Sequence, residues 1–278
     1  MTDSSLPEYV LGRSAEEYAR LTLQARILRP YTERFFRAAG LAAGMRVLDV
    51  GSGMGDVAML AADVVGPGGH VTGVDLDANV LDQARRRTLE NGCSPWVTFE
   101  ASALDTFHTA QQFDALVGRF VLLYMPDAAA TIQHLLRFVR PGGIVAFHDL
   151  DLMDPRPSHP PCALWDQGYR VVTEAFARVG APTDFGRRIG PAFVRAGLPF
   201  PTIAAECTAG GGPGSYLYPW LATTVASIAP RLEALGLSMP PDLLPLGTLA
   251  KRMEAEALRA NSQVMASVQY GAWTRNPA

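Results

Sequence analysis

Cysteine is scarce in this sequence, lysine scarcer still, and long apolar runs are missing. The three cysteines, Cys93, Cys162 and Cys207, are odd in number, far apart and in no CxxC pair. That argues against a disulfide framework or a cysteine zinc site, and for a reducing compartment. Lysine occurs once, at Lys251, among 24 basic residues, and the formal net charge is -3. Such a balance does not supply the clustered basic face of a nucleic-acid binder. No apolar run approaches the roughly 18 residues of a membrane-spanning helix. The start, MTDSSLPEYV, is acidic and polar where a signal peptide is basic and then apolar. The expectation is a cytoplasmic protein with neither nucleic acid nor membrane as partner. His70, His108, His134 and His159 share no metal-ligand spacing, and neither HExxH nor GxSxG occurs. No metal is expected, and a serine hydrolase is disfavoured.

What is present is core-forming material. Of 278 residues 48% are apolar and 18% charged, which suits one large domain or two small ones. The spacing predicts a helix from Ser14, opened by an S-x-x-E capping box and stopped at Pro30, then a short helix over Glu33 to Ala39. Strands are predicted at Arg46 to Val50, His70 to Asp75, Val97 to Glu100, Phe113 to Val117 and Ile144 to Phe147. Helices fall between them: Gly55 to Val65, one capped by Asp77, and one capped by Asp127. Beyond residue 150 a proline-rich loop, a helix over Ala163 to Val179, a strand over Thr202 to Thr208, a helical stretch over Gly210 to Ala260 and a last strand over Gln263 to Tyr270 complete the reading. Strands alternating with helices imply a parallel sheet covered on both faces. The organisation expected is a helical lid over 1-40, a cofactor-binding core over 41-150, and over 151-278 the rest of the sheet with helical insertions.

The most informative segment is Val47-Leu48-Asp49-Val50-Gly51-Ser52-Gly53-Met54-Gly55-Asp56, a strand, a glycine turn and a helix start. Glycine there permits positive φ and close approach of a ligand, and the helix N-terminus favours an anionic group. Asp75 ends the next strand, where a carboxylate can accept both hydroxyls of a ribose. The glycines fall as G-x-G-x-G, and Asp56 stands where a dinucleotide fingerprint needs its third glycine. A pyrophosphate would also meet Asp49 and Asp56 as like charges, whereas a ligand carrying an amine and a sulfonium would be attracted.

This run resembles the cofactor motif of the class I S-adenosylmethionine-dependent methyltransferases, closest in texture to small-molecule and quinone-biosynthesis members. The likeness continues through Val71-Thr72-Gly73-Val74-Asp75-Leu76-Asp77, Ala101-Ser102-Ala103-Leu104-Asp105, Phe113-Asp114-Ala115-Leu116-Val117 and Leu136 to Val145. It covers about residues 40–150. The resemblance implies a Rossmann-like α/β fold with a seven-stranded, mostly parallel sheet, an N-terminal helical lid and a helical cap. It places the methionine end of the cofactor on Asp49 and the turn Gly51, Ser52, Gly53 and Gly55. It places the ribose on Asp75, the adenine on Leu76 and on Ser102, Ala103 and Leu104, and the cofactor's amino group on the backbone carbonyl of Arg119. Ser102 departs from the aspartate common there, which shifts the adenine contact to its hydroxyl or to Asp105.

Methyl transfer from a sulfonium asks the protein to align a nucleophile, exclude water and in some cases remove a proton. At the carboxyl edge of the expected sheet His148 is the candidate base. Tyr124, and Tyr18 and Gln24 on the lid helix, are candidates for the substrate pocket. The expected activity is methyl transfer from S-adenosylmethionine, leaving S-adenosylhomocysteine, to an oxygen, nitrogen or carbon of a small organic acceptor, by a protein that allows a homodimer. The alternatives are an NAD-dependent oxidoreductase, a nucleic-acid methyltransferase and a binding protein that performs no transfer.

Overall fold

The computed structural model describes residues 15–152 and 157–277, with side chains from Arg20 onward. Helix α1 runs Ala15–Ala39 without a break at Pro30. The prediction of two helices fails because Leu28, Phe35 and Phe36, on either side of the proline, are all buried. Packing of that stripe outweighs the hydrogen bond that a proline removes.

The chain then lays down β1 (Arg46–Val50), α2 (Asp56–Val65), β2 (His70–Asp75), α3 (Ala78–Glu90), β3 (Val97–Ala101), β4 (Phe113–Arg119), α4 (Ala128–Leu136) and β5 (Val139–Asp151). Asp77 accepts from Asn79 N–H, and Asp127 from Ala129 and Ala130 N–H, so both predicted caps are made. Strand β6 (Ser158–His159), α5 (Ala163–Arg178), α6 (Phe185–Arg195), β7 (Thr202–Glu206), β8 (Ala209–Gly210), α7 (Leu217–Ile228), α8 (Leu249–Ala260), β9 (Gln263–Met265) and β10 (Val268–Arg275) follow.

The main sheet has seven strands in the order β3-β2-β1-β4-β5-β10-β7, and the pairings from β3 through β5 are parallel. Strand order reverses beside β1, between β2 and β4, which is where open α/β sheets bind ligands at their carboxyl edge. Val47, Leu48 and Val50 of β1 are fully buried, as expected of a central strand covered on both faces. Burial of each such side chain contributes about 1.5–3 kcal/mol. Asp49 lies among them, also fully buried.

By contact density the chain forms two compact units. One comprises Met1–Ile27, Leu150–Phe185 and Glu206–Val268, the other Leu28–Asp149, Gly186–Ala205 and Gln269–Ala278. The second holds most of the main sheet. The first holds α5, α7 and α8, and a small sheet in the order β6-β9-β8 whose pairings are antiparallel. There the carboxylate of Glu256 on α8 accepts from Ala163 and Leu164 N–H (2.8 and 3.0 Å), closing the open start of α5.

Candidate cofactor site

The register of the parallel strands decides which charged groups meet. Asp49 pairs with Gly73 on one side and Val117 on the other, and Arg119 pairs with His148. Alternate residues of a strand share a face, so Asp75, Asp49, Arg119 and His148 all project from one face of the sheet at its carboxyl end.

The glycine turn is built tightly against its neighbours. Gly51 has φ +64°, and a Cβ there would lie 2.6 Å from Val121 Cγ2 in the turn after β4. Gly55 has φ +79° and would meet Phe99 and Ala84 at 3.0 and 3.1 Å. A side chain at either position meets both strain and a clash. A Cβ at Gly53 meets nothing within 4 Å, so the middle of the turn faces open space. Phe120, in the facing turn, is not glycine yet has φ +54°. Such a conformation is uncommon outside glycine and marks a constrained segment.

Asp75 is fixed from both sides. Its Oδ2 accepts from Gly53 N–H (2.8 Å) and its Oδ1 from Asp77 N–H (3.0 Å). The carboxylate is aimed by the turn it faces, with lone pairs to spare for a diol. Ser52 N–H is tied to Val74 O (3.0 Å), while its buried hydroxyl oxygen has no partner. Neither oxygen of Asp49 has one either. Burial raises the Asp49 pKa well above the usual carboxylate range; Arg119 opposes that, and Asp75 and Asp56 add to it. Leu76, just past Asp75, is 63% exposed, an apolar side chain left where a flat base can cover it. Ser102 hangs from β2 by its N–H to Asp75 O (3.0 Å), and its hydroxyl donates to Ala103 O (3.1 Å); Ala103 and Leu104 beside it are half-buried. Asp105 is exposed.

Two expectations change. Asp56 is no open anion: Arg87 Nη2 donates to it at 2.6 Å and Arg87 Nη1 to Met54 O at 2.7 Å. The repulsion of a pyrophosphate therefore rests on Asp49, with Asp56 neutralised by a residue of α3. His148, the expected base, is fully buried. Its Nε2 lies 3.0 Å from Gln269 Oε1 and its Nδ1 2.9 Å from Thr32 Oγ1, and Phe35 and Phe120 stand edge-on to its ring. Burial, assisted by Arg119, lowers its pKa to about 3. The network assigns Nε2–H as donor to Gln269, leaving Nδ1 as acceptor. With both nitrogens engaged and the ring neutral, His148 is an internal tie and not a base for an acceptor.

Tyr124 is half-buried in the short helical turn after β4, at the carboxyl edge. Gln24 belongs to the other unit, where its Oε1 accepts from the buried Arg20 (2.7 Å). Tyr18 lies outside the residues whose side chains are described. Sequence reasoning missed the side chain of Arg119, together with Thr32 and Gln269. The available signal was a lone cation in the apolar run from Ala115 to Met125. Among the described residues no group of three or more His, Cys, Asp or Glu is placed to hold a metal. No helix among them is long and apolar enough to cross a membrane.

A doubly wound sheet with this order, a glycine turn after its first strand and an anchored carboxylate at the tip of its second is a Rossmann-like domain for an adenosine-containing cofactor. Comparison with known proteins narrows the class. Residues 41–176 match the methyltransferase-domain family, and the domain they form belongs to the class I S-adenosylmethionine-dependent methyltransferases. Aklanonic acid methyltransferase of a Streptomyces species is 29% identical over 150 residues, 53% of this chain and 67% of that protein. The ubiquinone biosynthesis O-methyltransferase of Aromatoleum aromaticum is 37% identical over 117 residues, 41% of this chain and 47% of that protein. The match thus spans less than half of the second relative. The crystal structure of a putative methyltransferase from Bacillus halodurans shares the fold, with a TM-score of 0.57 at 15% identity over 89% of this chain and 99% of that one.

The residues present suit this family's cofactor. An unpartnered buried carboxylate (Asp49), an unpartnered hydroxyl (Ser52), an open glycine (Gly53), a pre-aimed carboxylate (Asp75) and an exposed leucine (Leu76) stand at the carboxyl ends of β1 and β2 and in the turn between β1 and α2. Asp49 is chemically suited to an ammonium, Ser52 and Gly53 to the polar tail of an amino acid, Asp75 to a ribose and Leu76 to an adenine.

Proposed function

We propose that the protein transfers a methyl group from S-adenosylmethionine to an oxygen, nitrogen or carbon of a small organic acceptor. The observation that carries this is the Asp75 carboxylate, held by Gly53 and Asp77 N–H beside a glycine turn that starts α2. Bound S-adenosylmethionine supplies an electrophilic methyl group; the chain's own part is to hold it and to exclude water. Asp75 takes the ribose hydroxyls, Leu76 and the Ser102 to Leu104 segment flank the base, and Asp49 faces the ammonium. Tyr124, at the carboxyl edge, belongs to the acceptor side; Gln24 and Tyr18 stand as separate candidates for acceptor contact on the sequence alone. Aklanonic acid and ubiquinone-type acceptors of the relatives are oxygenated ring systems, so such rings are the first acceptors to screen. The reading also carries a cytoplasmic location, no nucleic-acid partner and a protein free to dimerise.

The test is a calorimetric titration of S-adenosylmethionine, S-adenosylhomocysteine and NAD into wild type and Asp75→Ala. Binding of the two sulfur ligands, weakened at least about 100-fold in the variant by loss of two charge-assisted hydrogen bonds, supports the reading. Binding of NAD alone overturns it. Screening ring acceptors for a gain of one methyl mass then separates a transferase from a protein that only binds.

A further inference from the structure

Thr32, Arg119, His148 and Gln269 form one hydrogen-bonded chain in the interior of the second unit. Arg119 Nη1 donates to Thr32 Oγ1 (3.2 Å), Thr32 Oγ1 contacts His148 Nδ1 (2.9 Å), and His148 Nε2 contacts Gln269 Oε1 (3.0 Å). The Thr32 hydroxyl also donates to Leu28 O (3.1 Å), so it accepts from Arg119 while sharing its proton. The chain links α1, β4, β5 and β10. Desolvating such a row is costly unless every member is satisfied.

The row is not satisfied at its Arg119 end. A guanidinium carries five N–H donors, yet among the described residues Arg119 makes this one hydrogen bond and no ion pair. Asp49 projects from the same face of the neighbouring strand and is close enough for Arg119 to act on its pKa, but no hydrogen bond joins the two side chains. The nearby Asp56 is already taken by Arg87. The site therefore presents a cation and an acid side by side that feel one another through space but are joined by no hydrogen bond. Val50 pairs with Gly118, which sets Arg119 abreast of Gly51, and Val121 packs against that glycine, so the pair lies beside the glycine turn.

A ligand that complements both must carry a cation and an anion a few bonds apart, as an α-amino acid does. Building on the cofactor reading above, we propose that the Arg119 guanidinium is the receptor for the α-carboxylate of the cofactor's methionyl end, with Asp49 facing its ammonium. Thr32, His148 and Gln269 are positioning residues that hold the guanidinium plane. A planar, permanently charged fork suits a carboxylate as no other side chain does. This assigns the Arg119 side chain a role beyond the backbone contact that the family resemblance implies for that position.

The experiment compares two ligands that share adenosine and a thioether and differ in the amino-acid half: S-adenosylhomocysteine and 5′-methylthioadenosine. Both are titrated calorimetrically into wild type, Arg119→Gln, Thr32→Val and Thr32→Ser, with melting curves recorded for each. Arg119→Gln is expected to weaken S-adenosylhomocysteine about 30-fold while 5′-methylthioadenosine changes by less than about threefold. Thr32→Val is expected to shift the ratio of the two affinities in the same direction by less, and Thr32→Ser to restore it. Equal weakening of both ligands by Arg119→Gln, or of neither, overturns the proposal. If Arg119→Gln shows no cooperative melt, Thr32→Val decides, and an unchanged ratio overturns it. Wild type binding both ligands equally well removes this proposal alone. Wild type binding neither removes the cofactor reading with it.

Discussion

Replacing Asp49 by asparagine exchanges a buried carboxylate without a partner for a neutral group of the same shape. In the cofactor-free protein the charge is held at a loss, because burial opposes ionisation, Asp75 and Asp56 add to the penalty, and only Arg119 and the nearby Ala58 N–H offset it. The amide also lacks partners, so the gain is the difference between an unsatisfied charge and an unsatisfied dipole, about 1–3 kcal/mol. The variant should therefore be the more stable protein in urea or guanidinium, while binding S-adenosylmethionine at least about tenfold more weakly. The pH dependence carries a distinct sign. A carboxyl whose folded-state pKa is raised leaves the folded state holding more protons than the unfolded state between the two pKa values. Wild-type stability then falls as pH rises through that window, and the penalty is complete above it. Asp49→Asn lacks this component, so its advantage over wild type should grow from acid towards neutral pH. Denaturation midpoints at a series of pH values measure this. A variant less stable than wild type at neutral pH would refute the reasoning, because it would show that the carboxylate is compensated from within.

His148 obeys the opposite sign. Its pKa is lowered to about 3, so the stability it supports is present above the unfolded value near 6.5 and is lost as pH falls towards the folded value; His148→Gln should flatten the acid side of the stability curve, and the kcat profile should show no limb from this ring. Gly51→Ala combines φ +64° with a Cβ 2.6 Å from Val121, and should cost about 2–4 kcal/mol in chemical denaturation and abolish S-adenosylhomocysteine binding. Leu76→Ala removes a 63% exposed side chain, so stability should change by less than about 0.5 kcal/mol while calorimetry shows several-fold weaker cofactor binding; equal losses in both would mean that Leu76 packs internally.

Where signals were local, the sequence was readable. The glycine turn, the Asp75 tip and the helix caps at Asp77 and Asp127 each depend on a few neighbouring residues, and so the sequence alone marks them. Pro30 misled because propensity is a local rule and the buried Leu28, Phe35 and Phe36 act across the whole of α1. The strand expected to end at Phe147 runs on to Asp151, so His148 lies within β5, and its chemistry is set by Thr32, 116 residues earlier, and Gln269, 121 residues later. No spacing rule links such positions. The neutralisation of Asp56 by Arg87 was hidden for the same reason, 31 residues apart. The antiparallel sheet of β6, β9 and β8 has strands of two or three residues, too short to show any alternation.

The place of β10 between β5 and β7 has a consequence for how the chain is made. Synthesis proceeds from the N-terminus, so β5 emerges long before the strand that lies against it. Until Val268–Arg275 arrives, β5 offers a bare row of backbone donors and acceptors, an invitation to pair with another nascent chain. During that interval the His148 ring also lacks Gln269. Its Nε2 partner arrives with the same strand that closes the sheet. Arg275 and Asn276 then fasten onto the Val139 to Gly143 end of β5 through Gly142 O, Val139 O and Gly143 O. One late segment thus ends the exposure of an edge and finishes the interior beside the cofactor site in a single docking event.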